Sequence, residues 1–115
     1  MLEKELERKF VEAVKKAGGR AYKFVSPGNV GVPDRLVILP GNHIGFVELK
    51  QTGKKPTAIQ NRQMDRLENL GCHVYLLDRP EEIDELINDL KCTVAHTEDE
   101  VCLRVTGRGC TNDDL

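Results

Sequence analysis

Asp34, Glu48 and Lys50 are the residues of this chain whose types and spacing can do chemistry. The segment that carries them, Gly31 to Lys50, reads GVPDRLVILPGNHIGFVELK. Two apolar runs, Leu36-Val37-Ile38-Leu39 and Ile44-Gly45-Phe46-Val47, are joined through Pro40-Gly41-Asn42, which reads as a strand, a turn and a returning strand. A hairpin sets the start of one strand beside the end of the next, so Asp34 is expected to meet Glu48. Glu48 and Lys50 share a face, because strand side chains alternate with period two. Two carboxylates and an ammonium therefore converge at one edge of a sheet. Like charges repel and buried charge is costly, so stability alone does not select that arrangement. A divalent cation resolves the conflict, and hard oxygen donors suit Mg²⁺ or Mn²⁺. A cation held by Asp34 and Glu48 would act as a Lewis acid and lower the pKa of a bound water. Lys50 would orient that water and stabilise the developing negative charge. As a mere surface ion-pair cluster, the same trio would contribute at most about 1 kcal/mol.

Pro33-Asp34 followed by Glu48-Leu49-Lys50 resembles the motif of the PD-(D/E)xK nuclease superfamily. That short pair of motifs arises often by chance. The longer succession Lys23-Phe24-Val25-Ser26-Pro27-Gly28, GVPDR, FVELK and Gln60 is more specific, and resembles the VRR-NUC domain (virus-type replication-repair nuclease) in its small stand-alone phage form. The resemblance spans roughly residues 3 to 79. It implies an α/β fold with a restriction-endonuclease-like core, a metal held by Asp34, Glu48 and the backbone carbonyl of Leu49 that polarises a scissile phosphodiester, and a Glu in the first helix that completes the metal site. Glu3 aligns best with that acid, and Glu7 is the alternative. It also implies a Gln close to the active site, here Gln60, a substrate-backbone contact for Lys23, and loop-shaping roles for Ser26 and Gly31. Stand-alone members resemble archaeal Holliday-junction resolvases, which act as dimers with two active sites on opposed strands. The expectation is thus a metal-dependent, structure-selective DNA endonuclease acting on four-way or otherwise branched DNA as a homodimer. Flap, nick or single-strand cleavage by the same chemistry, and a non-catalytic DNA-binding module on the same fold, are the alternatives.

The elements that must position these residues follow from periodicity. Residues 2–17 read as an amphipathic helix with Leu6, Phe10, Val14 and Ala17 in a stripe and Ala13 beside it. At about 100° per residue, Glu5 and Glu12 fall opposite that stripe, Glu3 extends it inward and Glu7 lies at its edge. An inward carboxylate needs a partner, and a metal would be one; a first-turn acid also complements the helix dipole by a few tenths to about 1 kcal/mol. Gly18-Gly19 ends the helix, Arg20 to Val25 reads as a strand, and Ser26-Pro27-Gly28-Asn29 breaks it. Lys23 reads equally well as the polar face of an edge strand. Gly31 and Pro33 set the path of the chain into Asp34.

After Lys50 a polar loop carries Lys54 and Lys55, and a helix follows from Thr57 with Ile59, Gln63, Leu67 and Leu70 on one line and Met64 beside it. Thr57 and Gln60 have capping-box spacing, which is compatible with a second role for Gln60 at the active site. Lys54, Lys55, Arg62 and Arg66 form a basic cluster suited to phosphate contact without sequence preference. Cys72 to Leu77 reads as a strand, and Asp78-Arg79-Pro80 opens a last helix with Ile83, Leu86, Ile87 and Leu90 as its buried stripe. His73, with no motif around it, reads as a surface group. The expected order is α-β-β-β-α-β-α, a mixed sheet of about four strands flanked by helices.

At 115 residues the chain fits one domain, with residues 1–90 as the nuclease core and residues 91–115 as an extension. Residues 1–80 carry 14 Lys and Arg against 9 Asp and Glu, whereas residues 81–115 carry 3 against 10. A basic body thus hides behind a net charge of −2 and is consistent with nucleic-acid binding. Apolar runs fall short of the ~20 residues that span a bilayer, so no membrane partner is expected and the cytoplasm of a bacterial or phage-infected cell is the expected location. In the extension, Cys92, His96, Cys102 and Cys110 invite a zinc reading but lack the spacing of common zinc modules, and the cysteines read as free thiols. Val101 to Val105 alternates like a short edge strand, and Gly107 to Leu115 reads as a mobile tail.

Overall fold

A stripe of Leu6, Phe10 and Val14 winds the first segment into helix α1, Glu3–Lys16, which buries all three side chains. The computed structural model describes residues 1–93. Strands β1 (Arg20–Lys23), β2 (Arg35–Leu39) and β3 (His43–Leu49) follow, then helix α2 (Ala58–Asn69), strand β4 (His73–Leu77), a single 3₁₀ turn at Pro80–Glu82, and helix α3 (Ile83–Lys91). That is the expected α/β order. The strands form one mixed sheet in the order β1-β2-β3-β4, antiparallel except for the parallel pair β3-β4. A parallel pair cannot be joined by a hairpin, and α2 makes the crossover.

The β2-β3 hairpin turns through Pro40-Gly41-Asn42, where Gly41 (φ 91°) and Asn42 (φ 67°) take the left-handed conformations that a tight hairpin needs. Its register pairs Arg35 with Val47 and Leu39 with His43. Extending that register by one pair sets Asp34 opposite Glu48, as the sequence predicts. β1 is shorter than the expected Arg20–Val25, although the Phe24 N–H still donates to the Asp34 carbonyl at 2.9 Å.

The core lies on one face of the sheet. Val37, Leu39, Val47, Leu49 and Leu77 meet Leu6, Phe10 and Val14 of α1 and Ile83, Leu86, Ile87 and Leu90 of α3, all buried. Each such side chain contributes roughly 1.5–3 kcal/mol on burial. Tyr75 packs against this core and donates its hydroxyl to Asp89 Oδ2 of α3 at 2.6 Å, so burial and that carboxylate push the phenol pKa upward.

The opposite face is thinly covered. Tyr22, Leu36 and Phe46 form one cross-strand row there, and Tyr22, Ile44 and Leu76 remain 51%, 40% and 44% exposed. The apolar line of α2 does not close this face. α2 lies against β4 and buries none of its residues; Ile59 is 41% and Leu70 76% exposed. Periodicity gave the line but not a surface for it to cover. Among the described residues no helix is long and apolar enough to cross a membrane. Cys72 and Cys92 are free thiols. His96, Cys102, Cys110, the expected strand Val101 to Val105 and the tail from Gly107 lie outside the described residues.

Candidate active site

Glu48 is the one charged side chain in the buried set of the described residues, 1% exposed. The strand dictates this: Val47 and Leu49 enter the core, and alternation turns Glu48 to the other face, together with Lys50. Lys50 Nζ stands 3.6 Å from Glu48 Oε2. The other oxygen, Oε1, is buried without a hydrogen-bond partner. Asp34, at the head of β2, points its Oδ2 at the backbone N–H of Leu49, which donates at 2.9 Å. The two carboxylates therefore occupy the same end of the hairpin. Burial first, then the Asp34 charge, pushes the Glu48 pKa from 4.5 up to about 7; Lys50 pulls it down and Glu3 adds to the rise.

This donor set fits a divalent cation. An ion pair built for stability would engage both oxygens of the buried carboxylate, since a buried unpaired oxygen costs its full desolvation. Here Oε1 is orphaned beside a second carboxylate, and a hard cation relieves both the missing partner and the repulsion. Among the described residues no three His, Cys, Asp or Glu side chains already converge as a metal cluster. Asp34 and Glu48 are thus a pair that further oxygens would complete.

Two acids compete for that role, and the geometry separates them. Glu7 is taken: Arg35 Nε donates to its Oε2 at 2.9 Å, Arg35 Nη2 lies 2.9 Å from the same oxygen, and Arg35 Nη1 donates to the Ala21 carbonyl at 2.9 Å. Glu3 is exposed rather than turned inward as its angular position suggests, because it opens α1 and no core stands over the helix end. Its charge nonetheless reaches Glu48. The Arg35–Glu7 pair was not read from the sequence. A signal existed in the one charge of the strand RLVIL and in an acid at the edge of the α1 stripe.

α2 brings its N-terminus toward this end of the sheet. Gln63 Nε2 donates to the Val30 carbonyl at 3.2 Å, and Gly31 (φ 89°) presses against Ile59, where a Cβ would come within 3.0 Å of its Cγ2 and 3.1 Å of its carbonyl oxygen. Only glycine suits that contact and that φ. The capping box forms: Gln60 N donates to Thr57 Oγ1 at 3.3 Å, and Thr57 N donates to Gln60 Oε1 at 2.9 Å. The cap occupies Oε1 of Gln60 and leaves Nε2 to donate elsewhere. Lys54, Lys55, Arg62 and Arg66 are all exposed. The loop that carries the two lysines is fastened by Thr52 Oγ1 donating to the Asp78 carbonyl at 2.7 Å and Gly53 N donating to Asp78 Oδ2 at 3.3 Å. Lys23 stands apart: its register with Arg35 and Val47 puts it on the face opposite Glu48, exposed on edge strand β1. His73 is an exposed surface residue.

No family model matches the chain. It is 55% identical over 76 residues, 66% of its own length and 82% of the relative's, to a phage protein provisionally named nuclease p44, from Acyrthosiphon pisum secondary endosymbiont phage 1. Among solved structures it matches a VRR_NUC domain with a TM-score of 0.70 and 33% sequence identity, over 75% of this chain and 94% of that one. The hairpin geometry and both comparisons agree: the chain belongs to the VRR-NUC nuclease family.

Proposed function

We propose that this nuclease is a divalent-metal-dependent, structure-selective DNA endonuclease that resolves four-way junctions as a homodimer in the cytoplasm of a bacterial or phage-infected cell. The observation that carries the reading is the orphaned Glu48 Oε1, buried beside Asp34 and Lys50. Asp34, Glu48 and the Leu49 carbonyl would hold Mg²⁺ or Mn²⁺, with Glu3 completing the set directly or through water. When bound, the cation supplies Lewis-acid polarisation of the scissile phosphate and acidifies the attacking water.

The remaining work falls to the chain itself. The Leu49 N–H fixes one Asp34 oxygen, which keeps the carboxylate from swinging away. Lys50, steadied by Glu48 Oε2, orients the water and stabilises negative charge as it develops on the phosphate. Gln60 Nε2 positions water or phosphate from the start of α2. Lys54, Lys55, Arg62 and Arg66 hold neighbouring phosphates and release their counterions, and Lys23 would reach a strand running along the β1 edge. The thinly covered sheet face supports a homodimer, since Tyr22, Ile44 and Leu76 stand exposed on it and a second copy would bury them. Two copies about a two-fold axis suit a two-fold junction.

Cleavage of a synthetic four-way junction beside flap, linear duplex and single-stranded DNA, with Mg²⁺, Mn²⁺ or EDTA and with Lys50→Ala in parallel, tests the reading. Paired symmetric nicks that need both metal and Lys50 are expected. Metal-dependent cutting of the controls alone would remove the resolvase and keep the nuclease, and binding without cutting would leave a DNA-binding module.

A further inference from the structure

Val25 and Val30 are each 71% exposed, at the two ends of the turn Ser26-Pro27-Gly28-Asn29. An isolated exposed valine needs no explanation. This pair is different because hydrogen bonds close the loop that carries it and fasten it at both ends. Within the turn, Asn29 N donates to the Ser26 carbonyl at 3.0 Å and Asn29 Nδ2 donates to Ser26 Oγ at 2.9 Å. Before it, Phe24 N donates to the carbonyl of Asp34 at 2.9 Å. After it, Gln63 Nε2 of α2 holds the Val30 carbonyl at 3.2 Å, and Gly31 packs on Ile59. The loop thus bridges the strand that carries Asp34 and the helix that carries Arg62 and Arg66.

We infer that Val25 and Val30 form an apolar wedge that enters the DNA base stack at a branch point and gives the site its preference for branched over continuous duplex. The inference rests on the DNA-nuclease reading above and names how that site selects its substrate. Lysines and arginines hold the phosphate backbone but carry no information about shape beyond charge. An apolar side chain pushed between base steps must unstack them, and unstacking costs least where the stack is already interrupted. A wedge therefore converts a branch into binding free energy that continuous duplex cannot supply. These hydrogen bonds matter, because a loop ordered beforehand loses little entropy on binding. The bases are the fitting occupant because the loop's anchors join it to a catalytic carboxylate and to a phosphate-binding helix.

The test uses the full chain in a Lys50→Ala background, so that DNA stays intact, with Val25→Ser/Val30→Ser added. Both positions are exposed, so the variant is expected to fold as the parent does. The ratio of Kd for linear duplex to Kd for a four-way junction of the same sequence should fall at least tenfold. A 2-aminopurine at the branch should brighten when the parent binds and stay dim with the variant. An unchanged ratio, or brightening that ignores the valines, would overturn the wedge. A shift of oligomeric state in sedimentation with no change in the ratio would overturn it too, and would assign the valines to protein contact. Absence of cutting by the unaltered chain would sink the nuclease reading alone, since binding ratio and fluorescence still decide the wedge.

Discussion

Glu48 concentrates the conflict that the site is built on. Burial and Asp34 hold its pKa at about 7, against 4.5 in the unfolded chain. Between those values the metal-free native state binds more protons at Glu48 than the unfolded state, so the contribution of this group to stability is full below pH 4.5 and is lost as pH rises through 7. The shift corresponds to a loss on the order of 3 kcal/mol across the window. Denaturant titrations at pH 5 and pH 8 without metal should show that loss, and Glu48→Gln should flatten it. Equal slopes in both proteins would mean that Glu48 is not a desolvated carboxylate. Asp34, Glu48 and Lys50 were legible in the sequence because a hairpin and period-two alternation are local rules. The exposure of Glu3 was not legible, because a helical wheel gives an angle but not whether anything stands over the helix end.

The elements divide in the same way. α1 and α3 announced themselves, since Leu6-Phe10-Val14 and Ile83-Leu86-Ile87-Leu90 are stripes that a sheet face can bury, and it does. The line Ile59-Gln63-Leu67-Leu70 looked similar, yet α2 buries none of its residues. What distinguishes them is the area of sheet within reach, which is a tertiary property and overrides the local pattern. The Arg35–Glu7 pair was hidden for a related reason: each residue is readable, but their meeting depends on how α1 crosses β2. That pair fastens α1 at the turn after Glu3. Arg35→Met would remove charge-assisted hydrogen bonds and leave Glu7 without its partner, at a cost on the order of 2–3 kcal/mol. It should also weaken Mn²⁺ binding, because the helix end that presents Glu3 loosens. Calorimetry would check both effects, and a destabilised variant with unchanged Mn²⁺ affinity would show that α1 does not serve the site.

At the scale of the whole molecule, the charge separation between residues 1–80 and residues 81–115 was plain in the sequence, whereas the thin cover over one sheet face was not. If the exposed lysines before α2 hold phosphates, Lys54→Ala/Lys55→Ala should lower the slope of log affinity against log salt by roughly 2, at about 0.9 per phosphate contact. The ratio of junction to duplex binding should stay as it was; a changed ratio would mean that these lysines read shape and not charge alone.

The proposed cleavage by this site requires Asp34 and Glu48 to hold a divalent cation together. The most direct measurement is the melting temperature at pH 8 with and without Mn²⁺, on the unaltered chain and on Asp34→Asn. A ligand that binds only the folded state raises the melting temperature by an amount that grows with the logarithm of 1 + [L]/Kd. The expected result is a clear rise with Mn²⁺ that shrinks at pH 6, where Glu48 holds its proton, and that vanishes in Asp34→Asn. A rise of the same size in Asp34→Asn, or none in the unaltered chain, would contradict it.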